Sequence, residues 1–274
     1  MDAPPDQENS EPFVRIARLL AQAGLHVPQI VAKDMAHGFL LLSDLGHQTY
    51  LNVLDAENAE ALFSDAIDAL IQIQLCPVPA GFPAYDRELL QRELSLFPDW
   101  YVGRERACQL TAPQLQAWQQ VCETLVGSAL SQPRVLVHRD FMPRNLMIST
   151  PQPGVLDFQD AVLGPVTYDV VCLFKDAFLS WPQSRIDAWQ QLYLARAKSA
   201  GIALPEDFQR SLDLMGVQRH LKVLGIFARI CHRDGKPKYL EDTPRFLRYI
   251  LDVAPRYPEL QPLVTLFSDL GLES

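Results

Sequence analysis

The sequence predicts an α+β chain in which helices dominate. Apolar residues recur at helical spacing over most of the 274 residues. Three short β-branched or apolar runs, Val135-Leu136-Val137, Leu146-Met147-Ile148 and Val155-Leu156, interrupt that pattern. One further apolar stretch, Gly38-Phe39-Leu40-Leu41-Leu42, precedes the helical bulk and reads as a buried strand.

The first helix is expected from about Glu11 to Ala23. Ser10 is placed to cap it and Pro12 suits its first turn. Phe13, Ile16, Ala17 and Leu20 make one apolar stripe, and Gly24 stops it. His26 to Val31 reads as extended. Ser43-Asp44-Leu45-Gly46 is a polar turn after the strand. A long helix from Ala56 to Leu75 carries Leu62, Phe63, Ala66, Ile67, Leu70 and Ile71 on one face. Asp86 to Phe97 is a second. Thr111 caps a third, with Leu115, Trp118, Cys122 and Leu125 inward. Pro151-Gln152-Pro153-Gly154 has turn chemistry and joins the last two β runs into a hairpin. The final hundred residues read as helices broken near Pro182, Pro205, Gly235, Pro244 and Pro255.

Composition bounds the function. Hydrophobic residues make up 48% and charged residues 21%, an ordinary globular balance. The net charge of −9 disfavours broad binding to nucleic acid or to an anionic membrane surface. No run approaches the length of a transmembrane helix, and Met1 to Ser10 lacks the pattern of a signal peptide. Five scattered cysteines (Cys76, Cys108, Cys122, Cys172, Cys231) form no CxxC pair, so free thiols in a reducing cytoplasm are expected. The histidines show no spacing suited to zinc.

The chemistry concentrates beside the short strands, in His138-Arg139-Asp140-Phe141-Met142-Pro143-Arg144-Asn145 and then Asp157-Phe158. A strand end fixes the backbone and leaves the side chain at a cleft. Asp140 can accept a proton from a hydroxyl. Asn145 and Asp157 offer hard oxygen atoms of the kind Mg²⁺ takes one or two at a time, completing its shell with phosphate and water. Phosphoryl transfer needs that combination of positioning, charge neutralisation and an orienting base. His138 reads as a packing residue of this loop.

The segment His138 to Asn145 resembles the H-R-D-L-x-x-x-N catalytic loop of protein-kinase-like enzymes, with Phe141 in place of Leu. Asp157-Phe158-Gln159 resembles the D-F-G metal motif with its glycine replaced, and no A-P-E triplet follows. Those departures point to the aminoglycoside phosphotransferase-like kinases of small molecules. Val155 to Val162, Gly164 to Val171, Glu93 to Tyr101 and Gln218 to Phe227 are similar to a narrower group, the anomeric kinases of N-acetylmuramate and N-acetylglucosamine used in cell-wall sugar recycling.

The resemblance implies a bilobal protein-kinase-like fold, with residues 1–46 as a partial N-terminal lobe and hinge and residues 47–274 as a helical C-terminal lobe. It implies ATP and Mg²⁺ as cofactors and a sugar 1-phosphate as product. Asp140 would be the catalytic base, and Asn145 and Asp157 the metal ligands. Ser43, Asp44 and Leu45 would meet adenine, and Asp169 would bond the catalytic-loop backbone. Glu93, Tyr101, Arg144 and Gln159 are candidate sugar contacts because they flank the expected cleft. A monomeric cytoplasmic enzyme is expected, with a small amino sugar and ATP as partners and neither nucleic acid nor membrane. The basic positions Arg219, Lys222, Arg229 and Arg233 fit either an anion contact or a solvated helix face. The first glycine is Gly24 and the first lysine Lys33, and the few residues ahead of the Glu11 helix leave no room for a phosphate-covering strand pair. The front of the N-terminal lobe is therefore expected to be missing, with a sheet edge left exposed. Two alternatives stay open: another small-molecule kinase of the aminoglycoside or choline type, or an impaired remnant that binds sugar or a partner.

Overall fold

The computed structural model describes residues 1–6 and 8–272. In chain order its main elements are helix α1 (Glu11–Gln22), strands β1 (Ile30–Asp34) and β2 (Phe39–Leu42), and helices α2 (Tyr50–Val53), α3 (Ala59–Gln74), α4 (Arg87–Leu96) and α5 (Ala112–Leu130). Strands β3 (Arg134–Val137), β4 (Leu146–Met147), β5 (Gly154–Val155) and β6 (Val162–Pro165) follow. Helices α6 (Tyr168–Phe174), α7 (Gln183–Ser199), α8 (Phe208–Asp234), α9 (Thr243–Val253) and α10 (Gln261–Asp269) complete the chain. Packing divides it into two units, neither continuous in sequence: Met1–Ala84 with Pro133–Leu204, and Tyr85–Gln132 with Pro205–Ser274. β1, β2 and the loop from His138 to Asn145 share the first unit.

In the first unit, α1 buries Phe13, Val14, Ile16, Ala17 and Leu20, the stripe its spacing dictates. Ser10 sits at the cap position but its hydroxyl makes no cap bond. Asn9 does this work instead, its Oδ1 accepting from the Glu11 N–H at 2.9 Å. Strands β1 and β2 pair antiparallel, Ile30 opposite Leu42 and Asp34 opposite Phe39. The expectation of a buried strand fails here. Leu40 is buried, but Phe39 is 52% and Leu41 60% exposed, because side chains alternate and only one face of this two-stranded sheet meets the core. Before β2 the chain turns at Gly38 (φ +76°), where a Cβ would come within 2.0 Å of the Ala3 carbonyl oxygen.

The expected hairpin forms as β4 and β5, Leu146 opposite Val155. The first of the three runs forms β3, which pairs antiparallel with β6, Val135 opposite Gly164. Helix α3 packs on β3 and α7. Its buried Gln74 donates to the Val166 carbonyl at 2.9 Å and accepts from the Tyr193 hydroxyl at 2.7 Å, so an interior amide is satisfied at both ends.

In the second unit, α8 is the central rod, contacted by α4, α5, α9 and the segment Phe97–Glu105. That segment is a π-helical continuation of α4, and Phe97 within it stacks on Tyr101 and Phe267 at 5.7 Å each. Gln114 Oε1 accepts from the backbone N–H and hydroxyl of Thr111, closing the start of α5. Leu115, expected inward, is 45% exposed; Trp118, Val121 and Leu125 carry the buried face. The basic face of α8 is neither solvated nor open to a ligand at its upper end. Arg219 and Lys222 are buried, and Lys222 pairs with Glu93 at 2.8 Å.

Candidate active site

The loop from His138 to Asn145 runs between β3 and β4, and its shape is set by hydrogen bonds to its backbone amides. The Asp169 carboxylate, at the start of α6, accepts from the N–H of His138 at 2.6 Å and of Arg139 at 2.9 Å. Two charge-assisted bonds to consecutive amides fix this turn, which holds Arg139 at φ +77°. His138 is buried. Burial pushes its pKa below the ordinary value against the pull of Asp140 and Asp157. Its Nε2 lies 3.0 Å from the Leu156 carbonyl, and the Asp140 N–H donates to its Nδ1 at 3.3 Å. Those partners require a neutral ring with the proton on Nε2, so His138 is a spacer between two loops and not a base.

Asp140 is held through its main chain. Its carbonyl accepts from Met142 N–H at 3.0 Å and from Asn145 Nδ2 at 2.9 Å. Its carboxylate is half-buried. The same Asn145 amide donates to Asp157 Oδ2 at 3.3 Å, so one side chain ties Asp140 to Asp157. The Asn145 carbonyl accepts from Leu156 N–H at 2.9 Å, which joins the loop to the hairpin strand leading to Asp157. Asp157 is exposed with φ +64°, and Gln159 Nε2 donates to its Oδ1 at 2.8 Å. Between them Phe158 is fully buried and stacks on Phe13 at 4.9 Å.

A cleft of about 500 Å³ opens beside this cluster, lined among others by Glu8, Ser10, Phe13, Asn145, Asp157, Gln159 and Asp160. Asp140 is outside that lining and joins it through Asn145. The described lining has acidic side chains and neither Lys nor Arg. Such a lining repels a bare polyphosphate and attracts a divalent cation. Asn145 Nδ2 is taken, which leaves Oδ1 as a hard donor beside the Asp157 carboxylate. Among the described residues no three His, Cys, Asp or Glu side chains group as a metal cage. Two oxygen ligands with phosphate and water completing the shell suit Mg²⁺ better than zinc.

The remaining expected residues are placed as follows. Ser43 closes the β2 end: its N–H donates to the Gln29 carbonyl at 2.9 Å and its Oγ accepts from Gln29 N–H at 2.9 Å. Asp44 Oδ1 accepts from Gly46 N–H at 2.8 Å, and the Leu45 side chain approaches Gly154, where an added Cβ would lie 3.0 Å from its Cδ1. Arg144 is exposed with its guanidinium 5.1 Å above the Phe178 ring. Glu93 and Tyr101 belong to the second unit. Glu93 is buried against Lys222, with Gln218 Nε2 at 3.4 Å and the Tyr85 hydroxyl also donating to it. Tyr101 is buried, and burial raises its pKa. Sequence reading missed Glu8 and Phe13 on the cleft wall, because nothing local at the start of α1 or in the segment before it signals contact with a loop so distant in the chain. It also missed Arg139, whose guanidinium donates to the Asp160 carbonyl at 3.4 Å.

The model of the phosphotransferase enzyme family matches residues 1–210. The N-acetylmuramate/N-acetylglucosamine kinase of Pseudomonas putida is 61% identical over 273 residues, spanning 98% of this chain and 80% of that protein. The protein of the same name from Neisseria meningitidis is 45% identical, spanning 98% of this chain and 82% of that one. Among solved structures, the ADP-bound aminoglycoside phosphotransferase APH(2'')-Ib superposes with a TM-score of 0.60 at 15% identity, over 88% of this chain and 81% of its own. A choline kinase from Streptococcus pneumoniae superposes with a TM-score of 0.62 at 14% identity, over 89% and 81%. At such identities the superpositions speak for the fold, which is α+β and kinase-like. Among the described residues no helix is long and apolar enough to cross a membrane. The chain belongs to the phosphotransferase enzyme family.

Proposed function

We propose that this chain phosphorylates the anomeric hydroxyl of N-acetylmuramate or N-acetylglucosamine, using ATP and Mg²⁺ and releasing the sugar 1-phosphate and ADP. The observation that carries the proposal is the Asn145 amide, which ties the Asp140 backbone to the Asp157 carboxylate at the edge of an acidic cleft. The named relatives at 45–61% identity support the choice of sugar.

Asp140 orients the sugar hydroxyl and takes its proton as the oxygen attacks the terminal phosphorus and the bond to ADP breaks. Asn145 and Asp157 would hold the Mg²⁺, which neutralises phosphate charge when bound. Asp169 keeps the loop in shape. Residues 1–46 are read as N-terminal-lobe material and hinge, with Ser43, Asp44 and Leu45 beside adenine, and residues 47–274 as the catalytic and sugar-binding lobe. Arg144, Gln159, Glu93 and Tyr101 are read as sugar contacts. The net charge of −9 favours a monomeric cytoplasmic enzyme of small substrates over a partner of nucleic acid or membrane.

Incubation with Mg-ATP and each amino sugar should give a phosphate ester at C1, read by phosphorus and proton NMR. Turnover of choline or an aminoglycoside with neither sugar phosphorylated would reject the substrate assignment. Glu93→Gln gives a second test. A sugar contact predicts a raised KM for the sugar at unchanged KM for ATP. A lowered thermal midpoint with both KM values unchanged would confine Glu93 to its buried pair with Lys222.

A further inference from the structure

Asp157 is oddly placed for a side chain that must hold a metal. It is exposed, and its backbone occupies the left-handed region at φ +64°. Its neighbour Phe158 anchors the backbone in the core against Phe13. The carboxylate itself is ordered by two amides, one on each oxygen. Asn145 Nδ2 reaches Oδ2 at 3.3 Å, a long bond, and is shared with the Asp140 carbonyl. Gln159 Nε2 reaches Oδ1 at 2.8 Å, at the short end for an amide donor to an ionised acceptor.

We infer that Gln159 is a positioning residue for the metal site: it sets the rotamer of the Asp157 carboxylate and leaves the second lone pair of Oδ1 directed at the cleft. Gln159 stands where the related D-F-G motif has glycine, so the replacement adds a clamp that a glycine cannot provide. The arrangement matches a general requirement of metal sites, in which ligand carboxylates are oriented by hydrogen bonds from the next layer of residues. It rests on the reading of Asn145 and Asp157 as metal ligands. It is separate from any sugar contact, for which the Gln159 Oε1 atom remains.

The test uses the whole chain with ADP and Mn²⁺ in place of Mg²⁺, with free Mn²⁺ read by electron paramagnetic resonance. Gln159→Leu keeps the volume and removes the donor. It should weaken Mn²⁺ binding by about 10-fold, at the low end of the roughly 10–100-fold seen for such second-layer partners, with the metal-free thermal midpoint held. The KM for the sugar should not account for the loss. Binding by the variant within twofold of the parent, or a change confined to sugar KM, would overturn the inference and leave the metal-site reading standing. Absence of Mn²⁺ binding by the unaltered chain with ADP would instead reject the metal-site reading and the inference together. Asp157→Asn serves as the control that removes the ligand charge.

Discussion

Asp140→Asn is expected to lower kcat by about 10²–10⁴-fold, the range for loss of a positioned general base. The substitution keeps the side-chain volume and removes the proton acceptor. The loop should survive it, because the bonds that place Asp140 are made by its main chain: its N–H to His138, its carbonyl to Met142 N–H and Asn145. Nucleotide affinity and thermal midpoint should therefore stay near those of the unaltered chain. Steady-state kinetics beside a melting curve checks both. Activity within tenfold of the parent would remove Asp140 from the chemical step.

Gly225→Ala should lower the melting temperature by roughly 4–8 °C, although helix propensity alone predicts the opposite. Alanine in a helix interior is favoured over glycine by about 1 kcal/mol. At Gly225 an added Cβ would lie 2.3 Å from the Leu96 carbonyl carbon and 2.4 Å from its oxygen. These are backbone atoms and cannot rotate aside. The clash belongs at or above the upper end of the usual 1–3 kcal/mol for overpacking, leaving about 2 kcal/mol net destabilisation. A chain of this size loses about 2–4 °C per kcal/mol. Gly127→Ala in α5 is the matched control, because nothing lies within 4 Å of its added Cβ. There propensity should win and the melting temperature should rise slightly. Equal and positive shifts at both glycines would refute the close approach of α4 to α8.

The same contrast between local and distant causes explains what could be read from the chain alone. Helix α1, the Thr111 start of α5 and the β4–β5 hairpin were legible because their determinants lie within a few residues. Asp140, Asn145 and Asp157 stand out in the sequence as a set because their residue types and spacing suit one chemistry, and that reading remains a proposal. The structure adds the Asn145 amide that unites them. The pairing of β3 with β6 was not legible, since the partners of Val162–Pro165 lie some 25–31 residues back in the chain, where no local signal links them. Neither was the π-helical continuation at Phe97–Glu105, which apolar periodicity does not distinguish from an ordinary helix. Burial of Arg219 and Lys222 also escaped, because a charge run gives no sign of a buried Glu93 waiting for it. The exposure of Phe39, Leu41 and Leu115 escaped for the converse reason: composition says a side chain is apolar, not which face meets a neighbour.

The interleaving of the two packing units bears on how the chain leaves the ribosome. Residues 1–84 belong with 133–204, so β3, β6 and α7 must be synthesised before α3 finds its partners. That is a delay of roughly 120 residues, on the order of ten seconds at about 5–20 residues per second. During that interval the apolar faces of α1 and α3 lack the partners they have in the folded unit. A chain ending before Leu204 can complete neither unit, and one released just after it can complete only the unit that holds the loop from His138 to Asn145.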